Sequence, residues 1–95
     1  MHPGIILAAC LSDYKLDAVV FAEKIGVSVK QIRGVLAGWS RVDGNLALRF
    51  GLVFDTTPQY WMNLQTHHEM TKARKRFSAE LDQIQKLPFP EQFTV

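Results

Sequence analysis

Cysteine is nearly absent from this 95-residue sequence. Cys10 stands alone, so no internal disulfide is available to brace a fold. Long hydrophobic runs are missing too. The apolar stretch Ile5 to Leu11 is far short of a membrane span and no charged segment precedes it, so neither export nor insertion is expected and the cytosol is the expected compartment. Glycine, proline and serine nowhere cluster into a linker, which points to one small core. No alternating β-branched run exists outside the apolar-periodic stretches, and Asp43-Gly44 joins no two such runs, so strands are not expected. Neither sign of charge dominates: the net +2 permits a nucleic-acid partner without requiring one. No carboxylate pair, nucleophile with base, or phosphate-cradling glycine loop occurs at a useful spacing, which argues against an enzyme and against a cofactor.

What is present is a chain 47% hydrophobic with its apolar residues at helical spacing. Its most informative stretch is Val19 to Leu36. One apolar-periodic segment stops at Gly26-Val27-Ser28 and a second begins at once, ending at Gly38. Gly26 stands where a left-handed residue closes a helix, and Ser28 is the N-cap of the next. Two helices joined so tightly cross steeply, which is the geometry of a helix-turn-helix. In the second helix, Ile32, Val35 and Leu36 form a buried stripe, while Lys30, Gln31 and Arg33 occupy the other face.

The same reasoning sets out the remaining elements. Helix 1 follows Pro3-Gly4 with Ile6, Leu7, Cys10 and Leu11 inward, and His2 serves as a capping or terminal residue. Asp17 caps helix 2, which points Phe21, Ala22 and Ile25 into the core, and helix 3 runs from about Val29 to Ala37. After a loop from Trp39 to Val42, Asp43 caps a fourth helix that turns Leu46, Ala47, Phe50, Val53 and Phe54 inward, and Asp55-Thr56 breaks it. Thr57-Pro58 opens a fifth helix that runs through Tyr60, Trp61, Leu64 and His68 into the mid-seventies. Ser78 caps a last short helix carrying Leu81, Ile84 and Leu87; Pro88 ends it, and Phe89-Pro90 reads as an extended tail. The expected organisation is residues 1–77 as one domain, with 78–95 as C-terminal helix and tail.

Taken together, His2-Pro3-Gly4, the Ile25-Gly-Val-Ser28 turn, Ala47-Leu-Arg49 and Thr57-Pro-Gln-Tyr-Trp-Met-Asn-Leu-Gln65 resemble the HigA (VapI-like) antitoxins, XRE-type helix-turn-helix proteins of toxin-antitoxin modules. The resemblance covers residues 2 to 70. It implies an all-α, lambda-repressor-like bundle of about five helices, and a homodimeric repressor that binds double-stranded DNA at its own palindromic operator and neutralises a HigB-type, RelE-like ribonuclease toxin. It also places Tyr60, Trp61, Leu64 and His68 in the region of helix 5 that joins two subunits. Two departures stand out. Ala18 occupies a position where the family usually has a phosphate-holding glutamine, and Ala37-Gly38-Trp39-Ser40 replaces a commonly Asn-Gly-Lys-Arg loop.

Helix 3 carries the expected DNA site. Lys30 and Arg33 approach base edges or adjacent phosphates, Val29 meets a thymine methyl, and Gln31 and Ser28 donate to the backbone. Arg41 and Lys15 are further candidates for phosphates. The cluster Lys72, Arg74, Lys75 and Arg76 reads as a hydrated helix end that complements the dipole. His67 and His68 are adjacent and point apart, so they form no i, i+4 metal pair, and Cys10 reads as a structural thiol. Two other functions fit the same residues: an orphan helix-turn-helix regulator with no cognate toxin, and a protein-interaction module that has lost DNA binding.

Overall fold

A computed structural model of the protein describes residues 1–93, in which five α-helices follow one another: α1 Pro3–Tyr14, α2 Ala18–Ile25, α3 Val29–Ala37, α4 Gly44–Phe54 and α5 Pro58–Leu81, with a 3-10 turn at Glu91–Phe93. The all-helical architecture expected from the periodicity is the one observed. Each α-helix begins with a side chain accepting from a first-turn amide. His2 Nδ1 takes Gly4 N–H at 2.9 Å, Asp17 Oδ1 takes Val20 N–H at 2.8 Å and Ser28 Oγ takes Gln31 N–H at 3.1 Å. Asp43 and Thr57 do the same for Leu46 and Tyr60. Such caps stabilise by about 1 kcal/mol each, enough to set helix starts in short elements. Gly26 and Gly38 close α2 and α3 at φ +75° and +84°, where a Cβ would be strained.

The core lies between these helices. Leu7 and Leu11 of α1, Phe21, Ala22 and Ile25 of α2, and Ile32 and Val35 of α3 meet Leu46, Ala47 and Phe50 of α4, with Val42 from the loop and Trp61 from α5. Two expectations are corrected here. Val53 lies outside, because the Leu46-Phe50-Phe54 stripe of α4 turns toward α5 and leaves Val53 on the opposite edge. Trp61, which the resemblance placed between subunits and its own pattern left open to core packing, is core: it is buried in its own subunit against Phe50 and Phe54, with its indole N–H donating to Thr56 Oγ1 at 2.9 Å. A residue with no surface left cannot join a second chain.

Beyond residue 70 the chain leaves the core. Its radius of gyration, 17.1 Å, exceeds the roughly 12 Å of a compact chain this long because α5 projects as an arm. The expected last helix is found only as a short stretch that ends at Leu81. It continues α5 across one non-helical residue, Phe77 (φ −112°, ψ 17°), and a turn at Asp82-Gln83 leaves Ile84 and Leu87 in irregular chain. With no packing surface for its apolar side, a short helix there lacks the tertiary contacts that sustain helices of that length. Beyond Phe89-Pro90, which have no regular structure, Glu91–Phe93 form the 3-10 turn, and Thr94 and Val95 lie outside the described residues.

Candidate nucleic-acid interface

The turn between α2 and α3 is closed locally and then clamped from a distance. The N–H groups of Gly26 and Val27 both donate to the carbonyl of Ala22, at 2.9 and 3.0 Å, which ends α2 sharply. Arg49 of α4 reaches across and donates from Nη1 to the Ile25 carbonyl at 2.6 Å, while its Nε holds Asn45 Oδ1 at 2.9 Å. An unsatisfied C-terminal carbonyl of α2 thus receives a charged donor. On the far side, Gly4 lets α1 rest directly on α3: a Cβ there would run into the carbonyl oxygen of Val35. α3 is held firmly from behind, and its outer face is left open.

That outer face is a shallow hollow of about 470 Å³ lined by Val29, Lys30, Arg33, Gly34, Ala37 and Trp39. It brings together three of the expected contacts: Lys30 and Arg33 exposed, Val29 half-buried. Gln31 and Ser28 lie outside it. Ser28 Oγ is engaged as the cap acceptor, which leaves its O–H proton available to a second acceptor. Arg41 is elsewhere, paired with Glu69 of α5 at 2.9 Å. That bond, with the opposite charge, holds the Glu69 carboxyl below the usual range. Both side chains are about half exposed, so the pair is loosely held and exchangeable. Lys15 is the left-handed C-cap of α1 (φ +55°) and lines neither this hollow nor the one around Arg41.

Several residues that build this surface were not singled out from sequence. Gln65 is buried, accepting from Val42 N–H at 2.8 Å and donating to Glu69 at 3.2 Å, so α5 holds the loop after α3 in place. Its only sequence signal was membership of the Thr57 to Gln65 motif. Lys72, read as part of a hydrated run, shares a hollow with Arg41, Gly38 and Trp39 at the α3 C-terminus. Arg74, Lys75 and Arg76 remain exposed on the arm. Of the expected interface residues besides Trp61, Tyr60 is exposed, whereas Leu64 and His68 are half-buried in their own chain.

His68 meets His2, not His67, with the rings edge to face at 4.8 Å. Burial lowers the proton affinity of both, and Lys72 nearby acts in the same direction; a bond to the Ser40 backbone opposes it at His2, and Glu69 opposes it at His68. His2 also caps α1 through an unprotonated Nδ1. The unfolded histidines, titrating near 6.5, bind protons more readily than the folded ones. Stability is therefore complete above about pH 6.5 and declines as pH falls through the lower folded values. Thermal unfolding is expected at a lower temperature at pH 5.5 than at pH 7.5, with a smaller difference in His2→Asn, which keeps a short cap acceptor.

No family model matches the chain. It is similar over nearly its whole length to solved structures: to the antitoxin GraA at 30% identity, covering 92% of this chain and 96% of that one with a TM-score of 0.87, and to the Pseudomonas aeruginosa antitoxin HigA, solved with the higBA promoter, at 27% identity over 93% and 98% with a TM-score of 0.87. It is also 38% identical over 47 residues to an HTH-type transcriptional regulator of Haemophilus influenzae, a match spanning 47% of this chain and 44% of that protein.

Proposed function

The chain belongs to the HigA family of XRE-type helix-turn-helix antitoxins, and we propose that it is a sequence-specific autorepressor, a homodimer that sets two α3 helices into a palindromic operator upstream of its own gene. The observation that carries this reading is the bared outer face of α3. Lys30 and Arg33 stand there without an acidic partner among the described residues, beside the positive end of the helix. In the proposed complex Arg33 and Lys30 meet base edges and flanking phosphates, Val29 touches a thymine methyl, and Ser28 and Gln31 donate to the sugar-phosphate chain. Arg41, released from Glu69, and Lys72 meet phosphates at the groove edge. The relative solved with its promoter supports the reading.

The dimer follows from the operator. Two half-sites on one face of the duplex lie about one helical turn apart, roughly 34 Å, and call for a twofold pair of α3 helices. α4 offers the surface: Leu48, Leu52 and Val53 are exposed on its outer side, with Leu52 at 85%. A second arm of the proposal is neutralisation of a HigB-type, RelE-like ribonuclease. It is supported by family membership and by Ile84, Leu87, Phe89 and Phe93, a string of large apolar side chains that the chain's own core leaves uncovered. Loss of toxin-driven RNA cleavage on adding the purified protein tests it, and undiminished cleavage at molar excess would reject it.

For the operator, fluorescence anisotropy against the duplex upstream of the gene and a scrambled duplex, over several salt concentrations, is the decisive measurement. The native duplex is expected to win by roughly a hundredfold or more. Arg33→Ala should remove about 1 to 3 kcal/mol of that margin per half-site, whereas loss of a phosphate contact such as Lys72→Ala should weaken both duplexes alike and flatten the salt slope. Equal, weak binding of both duplexes by the unaltered protein would overturn the reading.

A further inference from the structure

Trp39 is 90% exposed, while the chain's other tryptophan, Trp61, is 1% exposed. Such exposure of a large aromatic contributes nothing to its own fold, yet the residue is placed with care. Its backbone N–H donates to the Gly34 carbonyl at 2.9 Å, and the backbone N–H of Ser40 donates to the same oxygen at 3.0 Å. Ser40 Oγ occupies the space that a Cβ on Gly34 would need. The loop after α3 is thereby folded back onto the helix, and Trp39 becomes one wall of the hollow whose other linings are Val29, Lys30, Arg33 and Ala37. Gly34 leaves the middle of the floor without a side chain. The result is a slot with an apolar floor and wall and two cations at its rim.

The chemistry of that slot selects its occupant. An apolar peptide would leave Lys30 and Arg33 unpaired, and an acidic peptide would leave the indole and Val29 uncovered. The major groove supplies both complements, phosphates and acceptor edges for the cations and thymine C5-methyl groups for the apolar floor. We infer that Trp39 is a specificity-determining DNA contact, its indole closing with Val29 and Ala37 around thymine methyls that enter over Gly34. The inference rests on the operator-binding reading above and adds to it a residue at which the sequence departs from the family pattern. In the structure Trp39 forms one wall of the reading face.

The test compares the operator with a copy in which thymines are replaced by deoxyuridine, which removes the methyls and leaves the pairing edges unchanged. The unaltered protein is expected to prefer the thymine duplex by about tenfold, the equivalent of 1.4 kcal/mol, and Trp39→Ala should lose most of that preference while keeping its helical content and unfolding midpoint. The intrinsic fluorescence of Trp39, isolated by difference from Trp39→Phe, should become protected from acrylamide at saturating operator. If Arg33→Ala loses the operator but Trp39 stays as accessible as in the free protein and Trp39→Ala binds as tightly as the unaltered chain, the inference falls and the operator reading stands. A Trp39→Ala defect equal on operator, deoxyuridine and scrambled duplexes likewise overturns the thymine assignment. An unaltered protein with no preference for its own upstream DNA defeats both.

Discussion

Trp61→Ala is expected to lower the free energy of unfolding by about 3 to 5 kcal/mol, the range for removing a fully buried large aromatic. The side chain is 1% exposed and lies edge-on to Phe50, with ring centroids 4.9 Å apart, close to Phe54 at 5.7 Å and to Tyr60 at 5.6 Å. Alanine leaves a cavity where α4 packs on α5, and Thr56 Oγ1 loses the indole N–H that donates to it. Neighbouring Phe50 and Phe54 are rigid rings that cannot collapse far into the void. For a domain whose whole stability is expected to lie in the range of about 5 to 15 kcal/mol, the loss is a large share. Urea unfolding followed by far-UV circular dichroism measures it. Because Trp61 serves one subunit's core, the loss should be the same at low and high protein concentration, whereas an interface role would make it grow as concentration rises through the dissociation constant of the dimer.

Leu52→Glu is expected to leave the fold intact and to weaken operator binding by about a hundredfold to ten-thousandfold, the penalty for separating two linked half-site contacts. Leu52 is 85% exposed and stacks one helical turn beyond Leu48, itself 58% exposed, so a charge at this position costs the monomer little. In the proposed twofold contact the same charge would be buried against its own copy, where it is desolvated and faces a like charge. Sedimentation should show a monomer at concentrations where the unaltered protein is a dimer. Affinity for an isolated half-site should remain unchanged, since Lys30 and Arg33 lie on a different helix. A Leu52→Glu protein that stays dimeric would move the twofold contact elsewhere, and Tyr60, exposed at the start of α5, would be the next residue to alter.

The two predictions draw on opposite kinds of information. The helix starts, the turn at Gly26 and the exposed cations of α3 were legible in the sequence because each depends on residues within about four positions. A cap needs its acceptor and an amide two or three residues on. A left-handed closure needs a glycine, and an amphipathic helix needs only its own period. Those local rules determined five helices, the helix-turn-helix and the placement of Lys30 and Arg33. They failed where the answer depends on what a distant segment supplies. Ser78 looked like the cap of a helix reaching Leu87, yet the segment after it had no surface to pack against and its helix stopped at Leu81. Val53 fitted the apolar period of α4 but lay on the wrong side of the stripe that α5 selects.

Only the tertiary structure decided that Arg49 would hold the Ile25 carbonyl, that Gln65 would hold Val42, and that His2 would meet His68. The partners in these contacts are separated by 24 and 23 residues in the first two cases. Nothing in either local pattern encodes the other. The same holds for Trp39: by sequence it is a hydrophobic residue in a polar loop, and its meaning arises only because Gly34 lets the loop return onto α3. Local hydrogen bonds and periodicity determined which elements exist. Close packing of those elements, which rejects overlap and voids alike, decided which side chains were left facing outward to do the protein's work.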